Sequence, residues 1–221
     1  LYGAALKGLV ADEHVPMRTV AVAGETRLAF HVRDAATNDE YRFNLPGAEM
    51  TPSERQAFLI ALENEVRGGD VVVGSGSLPP MRGENAQETF WAEAAKIAKT
   101  KGARFALDSI SGIEAALKEG VFLLRHNEHE YQALAGGPLQ WPDEISAFAQ
   151  KLARSGAAER VVITHGGDGS VMATKASVVF TPVMPVRAHS AVGAGDSFVA
   201  GLIVALMRGW PHADALRFAS A

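Results

Sequence analysis

The chain contains no cysteine among its 221 residues. Disulfide bonds and thiolate metal sites are therefore excluded, and the absence fits a cytoplasmic protein. No apolar stretch is long enough to cross a membrane, because a membrane-spanning helix needs about 20 consecutive apolar residues. The formal net charge of −4 argues against nucleic acid as a partner. We therefore expect a protein that binds neither nucleic acid nor a membrane.

The residues that are present suit a globular core. Hydrophobic residues make up 48% of the chain and charged residues 21%, a balance typical of folded domains. The length fits one large α/β domain or one and a half small ones. Residues 1–10 have the pattern of an amphipathic helix without an initiating Met, and residues 216–221 stop within another helical pattern. From these two ends we expect a chain cut from a longer protein.

Alternation of apolar and polar residues sets residues 19–46 apart from the rest. Three runs predict paired strands in this segment: Val20 and Val22; Leu28, Phe30 and Val32; Tyr41 and Phe43. A polar turn over residues 34–39 joins the last two runs, and no helical pattern interrupts them. The segment is therefore expected to form a small region made only of strands.

From Thr51 onward the pattern changes to strands that alternate with helices. Thr51 and Glu54 have the spacing of a capping box, which predicts a helix start. The predicted helices cover residues 51–67, 84–101, 111–118, 127–135 and 142–155, and two more begin at Gly193 and His212. The predicted strands cover residues 70–74, 104–108, 121–124 and 160–164, followed by a hairpin of residues 171–174 and 178–181. Repeated strand–helix units indicate an α/β fold with a parallel sheet, in which ligands bind beyond the carboxyl ends of the strands.

Two glycines, Gly193 and Gly195, directly precede Asp196 and an apolar helical run that starts at Phe198. Glycines at a helix N-terminus leave backbone N–H groups accessible, and the helix dipole adds positive partial charge, so the place suits an anion such as phosphate. A carboxylate beside it can accept a proton from a hydroxyl that attacks phosphorus. The alternative is a tight turn in which Asp196 is only the N-cap of the helix.

Four further polar or glycine-rich segments follow predicted strands: residues 74–77, 108–109, 127–130 and 164–169. The stretches VGSGSLPP, NEHE and VVITHGGDGS, followed by the GAGD turn, resemble the PfkB family of sugar kinases in order and spacing. The resemblance implies a ribokinase-like fold, an α/β three-layer sandwich with a mainly parallel sheet and a small β lid. It assigns residues 1–18 and 47–221 to the kinase core and residues 19–46 to the lid.

The resemblance implies a role for each matching residue around the GAGD turn. Asp196 matches the catalytic base that deprotonates the acceptor hydroxyl. Gly193, Ala194 and Gly195 match the anion hole, whose N–H groups face the transferring phosphoryl group. Electrostatic stabilisation of this kind can be the largest catalytic contribution.

Other matching residues are implied to bind the nucleotide and its metal. Asn127 and Glu130 match an N-x-x-E motif that acts through water on Mg²⁺ and on the nucleotide phosphates; the alternative is a capping box at a helix start, and both can hold together. The residues matched to nucleotide binding are Thr164, Gly166, Gly169 and Ser190; an ordinary turn between strands is the alternative for the first three. Arg125 and His126 stand where the family often has Lys-Pro, and the arginine keeps the charge.

Arg27 and Arg42, in the expected lid, match arginines that hold the phosphate of the sugar, and Ser77 matches a further sugar or phosphate contact. Arginine suits this role because its guanidinium forms a bidentate fork to phosphate. The alternative for each arginine is a solvated charge on a strand. Two arginines on adjacent lid strands favour phosphate binding over that alternative.

The phrases ETRLAFHV, EYRFNLPG and SGSLPP most resemble the phosphosugar kinases of the family, the minor-type 6-phosphofructokinases first. The resemblance implies transfer of phosphate from ATP, with Mg²⁺, to the 1-hydroxyl of fructose 6-phosphate. The alternatives are a 1-phosphofructokinase or a tagatose-6-phosphate kinase, and, in another class, an inactive fragment or a non-catalytic nucleotide-binding homologue. The last alternative arises because the sugar-binding motif Gly-Gly-x-x-x-Asn of the family is not among these residues. We also expect the lids of two subunits to pair in a homodimer.

Overall fold

The computed structural model describes residues 2–37, 39–184 and 192–221. The chain divides into two compact units, a smaller one of residues 1–65 and 78–87 and a larger one of residues 66–77 and 88–221. This division does not coincide with the expected lid of residues 19–46. The lid as a separate domain therefore stays a prediction.

The smaller unit contains two helices and, between them along the chain, a two-stranded antiparallel sheet. Its elements are α1 (Tyr2–Asp12), β1 (Ala29–Arg33), β2 (Glu40–Asn44) and α2 (Pro52–Glu65). The strand register sets Phe30 opposite Phe43, and their rings stack with centroids 4.9 Å apart. The predicted turn between the strands is confirmed, since the Asp34 N–H donates to the Asp39 carbonyl at 2.9 Å.

The third strand predicted for this region, at Val20 and Val22, is wrong. Residues 15–22 have no regular secondary structure. The Ala23 N–H that follows them donates to the Oε1 atom of Glu54 at 2.7 Å. This backbone donor therefore bonds to the first turn of α2 and not to a neighbouring strand.

The capping box predicted for α2 is confirmed. The Thr51 N–H donates to the Oε2 atom of Glu54 at 2.7 Å, and the Glu54 N–H donates to the Thr51 Oγ1 atom at 3.3 Å. These bonds satisfy backbone donors at the helix start, where intrahelical partners are missing. The helix ends at Glu65, ahead of its predicted end at Arg67, whose N–H donates to the Asp70 carboxylate at 2.8 Å.

The remaining elements alternate between strands and helices, as predicted. The strands are β3 (Val71–Ser75), β4 (Arg104–Asp108), β5 (Val121–Asn127), β6 (Ala158–Thr164), β7 (Ser170–Thr174) and β8 (Val178–Thr181). The helices are α3 (Ala86–Thr100), α4 (Ile113–Glu119), α5 (Tyr131–Ala135), α6 (Asp143–Ser155), α7 (Ala194–Met207) and α8 (His212–Ala219), with a 3₁₀ turn at Gly166–Asp168.

Strands β3 to β8 form one sheet in sequence order. The first four strands are parallel, and β7 and β8 continue the sheet as antiparallel strands. This mainly parallel sheet confirms the expected α/β class. Strand β5 runs past its predicted end at Leu124, because its backbone remains paired with β6 as far as Asn127 opposite Thr164.

Helices α7 and α8 cover one face of this sheet. Leu202 of α7 and Leu216 of α8 are fully buried in a cluster with Leu123, Val162 and Met172 from the strands. Side chains alternate along a strand, so the residues between these point to the opposite face, where α6 packs on β6 and β7. Among residues 2–37, 39–184 and 192–221, no helix is long and apolar enough to cross a membrane.

Candidate active site

The GAGD turn forms the start of α7. Gly193 is the N-cap and has a φ of 79°, a left-handed conformation that favours glycine. The alternative in which Asp196 is the N-cap is therefore wrong; Asp196 lies in the first turn and is exposed. The first helical hydrogen bond runs from the Ser197 N–H to the Gly193 carbonyl at 2.9 Å. The N–H groups of residues 194–196 consequently point out of the helix end, where an anion can accept them.

Arg125, at the end of β5, lies directly against this helix start. Its Nη1 atom is 3.2 Å from Oδ1 of Asp108 at the end of β4, and its Nη2 donates to Oγ1 of Thr164 at the end of β6 at 2.8 Å. A Cβ atom built on Gly195 would lie 3.0 Å from Arg125 Nη1. One guanidinium thus joins three neighbouring strand ends and touches the glycine of α7.

Several charges share this small space. The side chains of Arg125 and Asp108 are only 11% and 10% exposed. Burial raises the pKa of the Asp108 carboxyl, against the opposing effect of Arg125; the negative charges of Glu130 and Asp196 raise it further. Arg125 also lies 4.0 Å from Oε2 of Glu130. The carboxylates therefore surround one cation at the carboxyl edge of the sheet.

Asn127 and Glu130 form the capping box that the sequence offered as one of two interpretations. The Asn127 N–H donates to Oε2 of Glu130 at 2.8 Å, and Oδ1 of Asn127 accepts the Glu130 N–H at 3.0 Å. The helix predicted from Asn127 begins only at Tyr131, because Asn127 still belongs to β5 and the next three residues form a turn. The structure therefore brings the two N-x-x-E side chains together beside Arg125.

The oxygen atoms that Glu130 and Asn127 offer fit a magnesium ion held mainly through water. Within the described part of the chain, Oε1 of Glu130 accepts no hydrogen bond, and no group of three or more His, Asp or Glu side chains could hold a metal ion. Mg²⁺ usually keeps several waters and binds through one or two carboxylates and substrate phosphates. One carboxylate with a free oxygen at this edge is consistent with that mode.

The loop that holds Thr164, Gly166 and Gly169 is a tight turn between β6 and β7. The His165 N–H donates to the Gly169 carbonyl at 2.8 Å. Gly169 has a φ of 118°, and a Cβ atom there would collide with the Thr181 carbonyl and approach Pro182 Cα to 2.9 Å. Glycine is thus required here by the fold itself, and the nucleotide role of the loop stays a prediction.

A hydrogen bond next to Ser77 joins the segments that follow β3 and β4. The Ser109 Oγ donates to the Gly76 carbonyl at 2.6 Å and accepts the Trp91 Nε1–H at 3.1 Å. His126, 1% exposed, donates from Nε2 to the Ser109 carbonyl at 3.1 Å. Burial lowers the pKa of His126, which keeps the imidazole neutral. These contacts fix the backbone next to Ser77, which is itself exposed.

The remaining predicted residues lie elsewhere. Arg27 is exposed and precedes β1, so the expectation that both lid arginines lie within strands is wrong for this one. Arg42 lies in β2, opposite His31 in the register. Ser77 belongs to the larger unit, whereas the two arginines belong to the smaller. Ser190 lies outside the described residues.

Sequence reasoning missed the central place of Asp108 and Arg125. Asp108 stood out only as a polar residue after a strand, and Arg125 only as a residue that keeps the positive charge of the lysine often found there in the family. The alternation of side chains along β5 could have indicated the position of Arg125. Leu123 is buried under α7 and α8, and Arg125 and Asn127 lie on the same face of the strand. The partners on β4, β6 and α7 could not be identified without the fold.

The polar segments at the strand ends and the glycine-rich start of α7 follow one another along the chain in the order expected of sugar kinases. The profile of the pfkB family carbohydrate kinases matches residues 1–221. The chain belongs to this family. ATP-dependent 6-phosphofructokinase isozyme 2 of Mycobacterium tuberculosis is 35% identical over 220 residues, which are 99% of the chain and 63% of that relative. 1-Phosphofructokinase of Bacillus subtilis is 31% identical over 218 residues, which are 97% of the chain and 68% of that relative.

Solved structures agree with this membership in the pfkB family. The crystal structure of phosphofructokinase-2 from Escherichia coli in complex with fructose-6-phosphate superposes with a TM-score of 0.89 at 32% identity, covering 99% of the chain and 70% of that protein. The fold class expected from the sequence is thereby confirmed. This pfkB-family chain spans 63% of the length of the M. tuberculosis relative.

Proposed function

We propose that the protein transfers the γ-phosphoryl group of ATP to the 1-hydroxyl of fructose 6-phosphate, with Mg²⁺. The observation that carries the proposal is the start of α7, where the backbone N–H groups of residues 194–196 point out of the helix beside the exposed Asp196 carboxylate and the Arg125–Asp108 pair. Family membership supplies the reaction class, and the named relatives supply the substrate.

Asp196 acts as the general base in this proposal. It takes the proton of the sugar 1-hydroxyl as that oxygen forms a bond to the γ-phosphorus and the bond to the bridging oxygen of ADP breaks. The N–H groups of Ala194 and Gly195, with Gly193 as N-cap, donate hydrogen bonds to the oxygens of the transferring group and stabilise their negative charge. The exposure of Asp196 lets a sugar hydroxyl reach it.

The nucleotide and its metal are held at the neighbouring strand ends. Glu130 and Asn127 would hold a hydrated Mg²⁺ through water, and the ion would supply positive charge that neutralises the phosphates. The turn with Thr164, Gly166 and Gly169 lies at the end of β6, the strand paired with Asn127, and the nucleotide phosphates follow this edge. Ser190 completes the nucleotide set.

The family resemblance supports Arg27 and Arg42 as ligands for the phosphate already on the sugar, and it supports Ser77 as a sugar or phosphate contact. Guanidinium groups suit phosphate because their planar fork donates two hydrogen bonds at once.

The β1–β2 sheet offers a surface for a homodimer. Phe30, Val32, Tyr41 and Phe43 share one of its faces by register, and each is between 41% and 52% exposed. Exposed contiguous apolar patches mark interaction surfaces. We expect a dimer by light scattering and a monomer for Phe43→Asp; a monomeric wild-type protein would remove this part of the proposal.

A kinetic panel tests the substrate. Fructose 6-phosphate, fructose 1-phosphate and tagatose 6-phosphate are each offered with ATP, and ADP release is followed. The highest kcat/KM is expected for fructose 6-phosphate. The similarity to the B. subtilis enzyme makes 1-phosphofructokinase the second candidate, and a preference for fructose 1-phosphate would establish it. No turnover with any sugar would favour the non-catalytic alternative.

A substitution tests the base. Asp196→Asn is expected to lower kcat by about 10²- to 10⁴-fold, because it removes the proton acceptor and leaves the helix start in place. Asp143→Asn is the matched control, since Asp143 is also an exposed acid in the first turn of a helix. Equal kcat values for Asp196→Asn and wild type would exclude the assigned base.

A further inference from the structure

Arg125 bridges two strands through the two nitrogens at the end of its side chain. Nη1 pairs with Asp108 of β4 at 3.2 Å, and Nη2 donates to Thr164 of β6 at 2.8 Å, so the planar group spans both neighbours of its own strand. A guanidinium can do this because its donors are fixed in a rigid fork. The side chain is 11% exposed, so these contacts are formed in a largely dry environment.

The same guanidinium lies close to the first turn of α7. A Cβ on Gly195 would meet Nη1 at 3.0 Å, Nη2 at 3.2 Å and Cζ at 3.3 Å, so the guanidinium is in close contact with the backbone here. A side chain at this position would require the guanidinium to shift by a few tenths of an ångström, and the bonds to Asp108 and Thr164 oppose that shift. Arg125 therefore favours glycine at position 195, independently of a phosphate that approaches the helix.

The guanidinium of Arg125 also compensates the negative charges of the carboxylates around it. Asp108 on β4, Glu130 before α5 and Asp196 on α7 are the acidic groups that face this cluster, and the adjacent His126 is buried and neutral. Without the guanidinium, the nearly buried Asp108 carboxylate would lose its ion-pair partner. A cation that is already engaged by protein groups has less capacity to bind a phosphate.

We propose that Arg125 is a positioning residue that fixes the start of α7, and with it Asp196 and the anion hole, relative to the ends of β4 and β6. The inference deepens the proposed kinase function and rests on it. The competing assignment is a phosphate ligand, for which charge would matter more than shape.

Arg125→Lys separates these two assignments. A single ammonium keeps the charge but cannot span Asp108 and Thr164, so we expect kcat to fall on the order of 10²-fold, the cost of misplacing reacting groups by about 1 Å. KM for ATP and for the sugar should stay within about twofold, since the ligand contacts remain. A kcat near wild type, or a loss confined to KM for ATP, would overturn the positioning role.

Arg160→Lys is the matched control for this substitution. Arg160 lies on the strand next to Arg125, pairs with Glu159 at 2.9 Å, and stands over the Phe122 ring away from the site. Its replacement is expected to leave kcat unchanged. If both variants lose activity alike, the effect is a general cost of replacing an arginine in this sheet, and the proposal fails.

A double-mutant cycle with Gly195→Ala tests the contact itself. The added methyl group should lower kcat in the wild-type background, because the guanidinium must shift by a few tenths of an ångström to admit it. In an Arg125→Ala background the guanidinium is gone, so the same change should have a much smaller effect. Additive effects of the two substitutions would contradict the proposed contact.

A double substitution that removes both charges distinguishes an effect on catalysis from a loss of folding. Arg125→Met leaves Asp108 uncompensated, whereas Arg125→Met with Asp108→Asn removes both charges and should recover the thermal midpoint. The neutral pair should still have a low kcat, and a return to wild-type kcat would show that charge balance suffices. A wild-type protein without phosphosugar kinase activity would overturn the proposed function instead. The thermal midpoints of the Arg125 and Asp108 variants would still test whether the two side chains form an ion pair.

Discussion

Two capping boxes with the same spacing stand at different places in the molecule. In the smaller unit, Thr51 and Glu54 begin α2, and in the larger unit, Asn127 and Glu130 precede α5. In both, the N–H of the first residue donates to the glutamate, at 2.7 Å and 2.8 Å. The local chemistry of the two motifs is therefore nearly identical.

Their surroundings differ. The second oxygen of Glu54 accepts the Ala23 N–H at 2.7 Å, so both of its oxygens are used within the smaller unit. Glu130 lies 4.0 Å from Arg125, and in the described residues its Oε1 accepts no hydrogen bond. A capping box thus orients a carboxylate, and the neighbouring strands determine whether that carboxylate remains available for a ligand.

The largest predicted difference between the two boxes appears when each glutamate is replaced by glutamine. We expect Glu130→Gln to lower kcat by about 10- to 100-fold and to raise the Mg²⁺ concentration needed for half-maximal rate, because an amide binds metal-bound water less well. Glu54→Gln should leave both quantities within about twofold. Steady-state kinetics over a Mg²⁺ titration measures this, and equal losses would mean that the two boxes do not differ in function.

Thr51→Ala addresses the structural side of the comparison. Loss of the N-cap hydroxyl is expected to lower the free energy of unfolding by about 1 kcal/mol, measured by chemical denaturation. Thr51→Ser keeps the hydroxyl and serves as the control. Because the box lies outside the proposed site, kcat of the folded protein should not change. A fall in kcat without loss of stability would be inconsistent with a purely structural box.

The sequence predicted the carboxyl ends of β3, β4 and β6 to within one residue, because parallel strands have short apolar runs bounded by polar and glycine residues, but it ended β5 three residues early. It also predicted the Thr51–Glu54 capping box and offered the Asn127–Glu130 box as one of two interpretations, since both are local patterns. It failed for the strand at Val20 and Val22, because the partner of the nearby Ala23 N–H is Glu54, 31 residues away. The bridge made by Arg125 was missed for the same reason, since Asp108 and Thr164 come from other strands. Contacts of this kind are set by the packing of distant segments.

The smallest predicted effect is the pH dependence of the Glu54 box. Hydrogen bonds from the Thr51 N–H, the Thr51 hydroxyl and the Ala23 N–H lower the pKa of Glu54 from its ordinary value of 4.5. A carboxyl with a lowered pKa in the folded state adds stability above its unfolded pKa, and this contribution is lost as the pH falls through the folded value. The difference in unfolding free energy between wild type and Glu54→Gln should therefore shrink between about pH 6 and about pH 3. A difference that stays constant over this range would show that the box does not depend on the charge of Glu54.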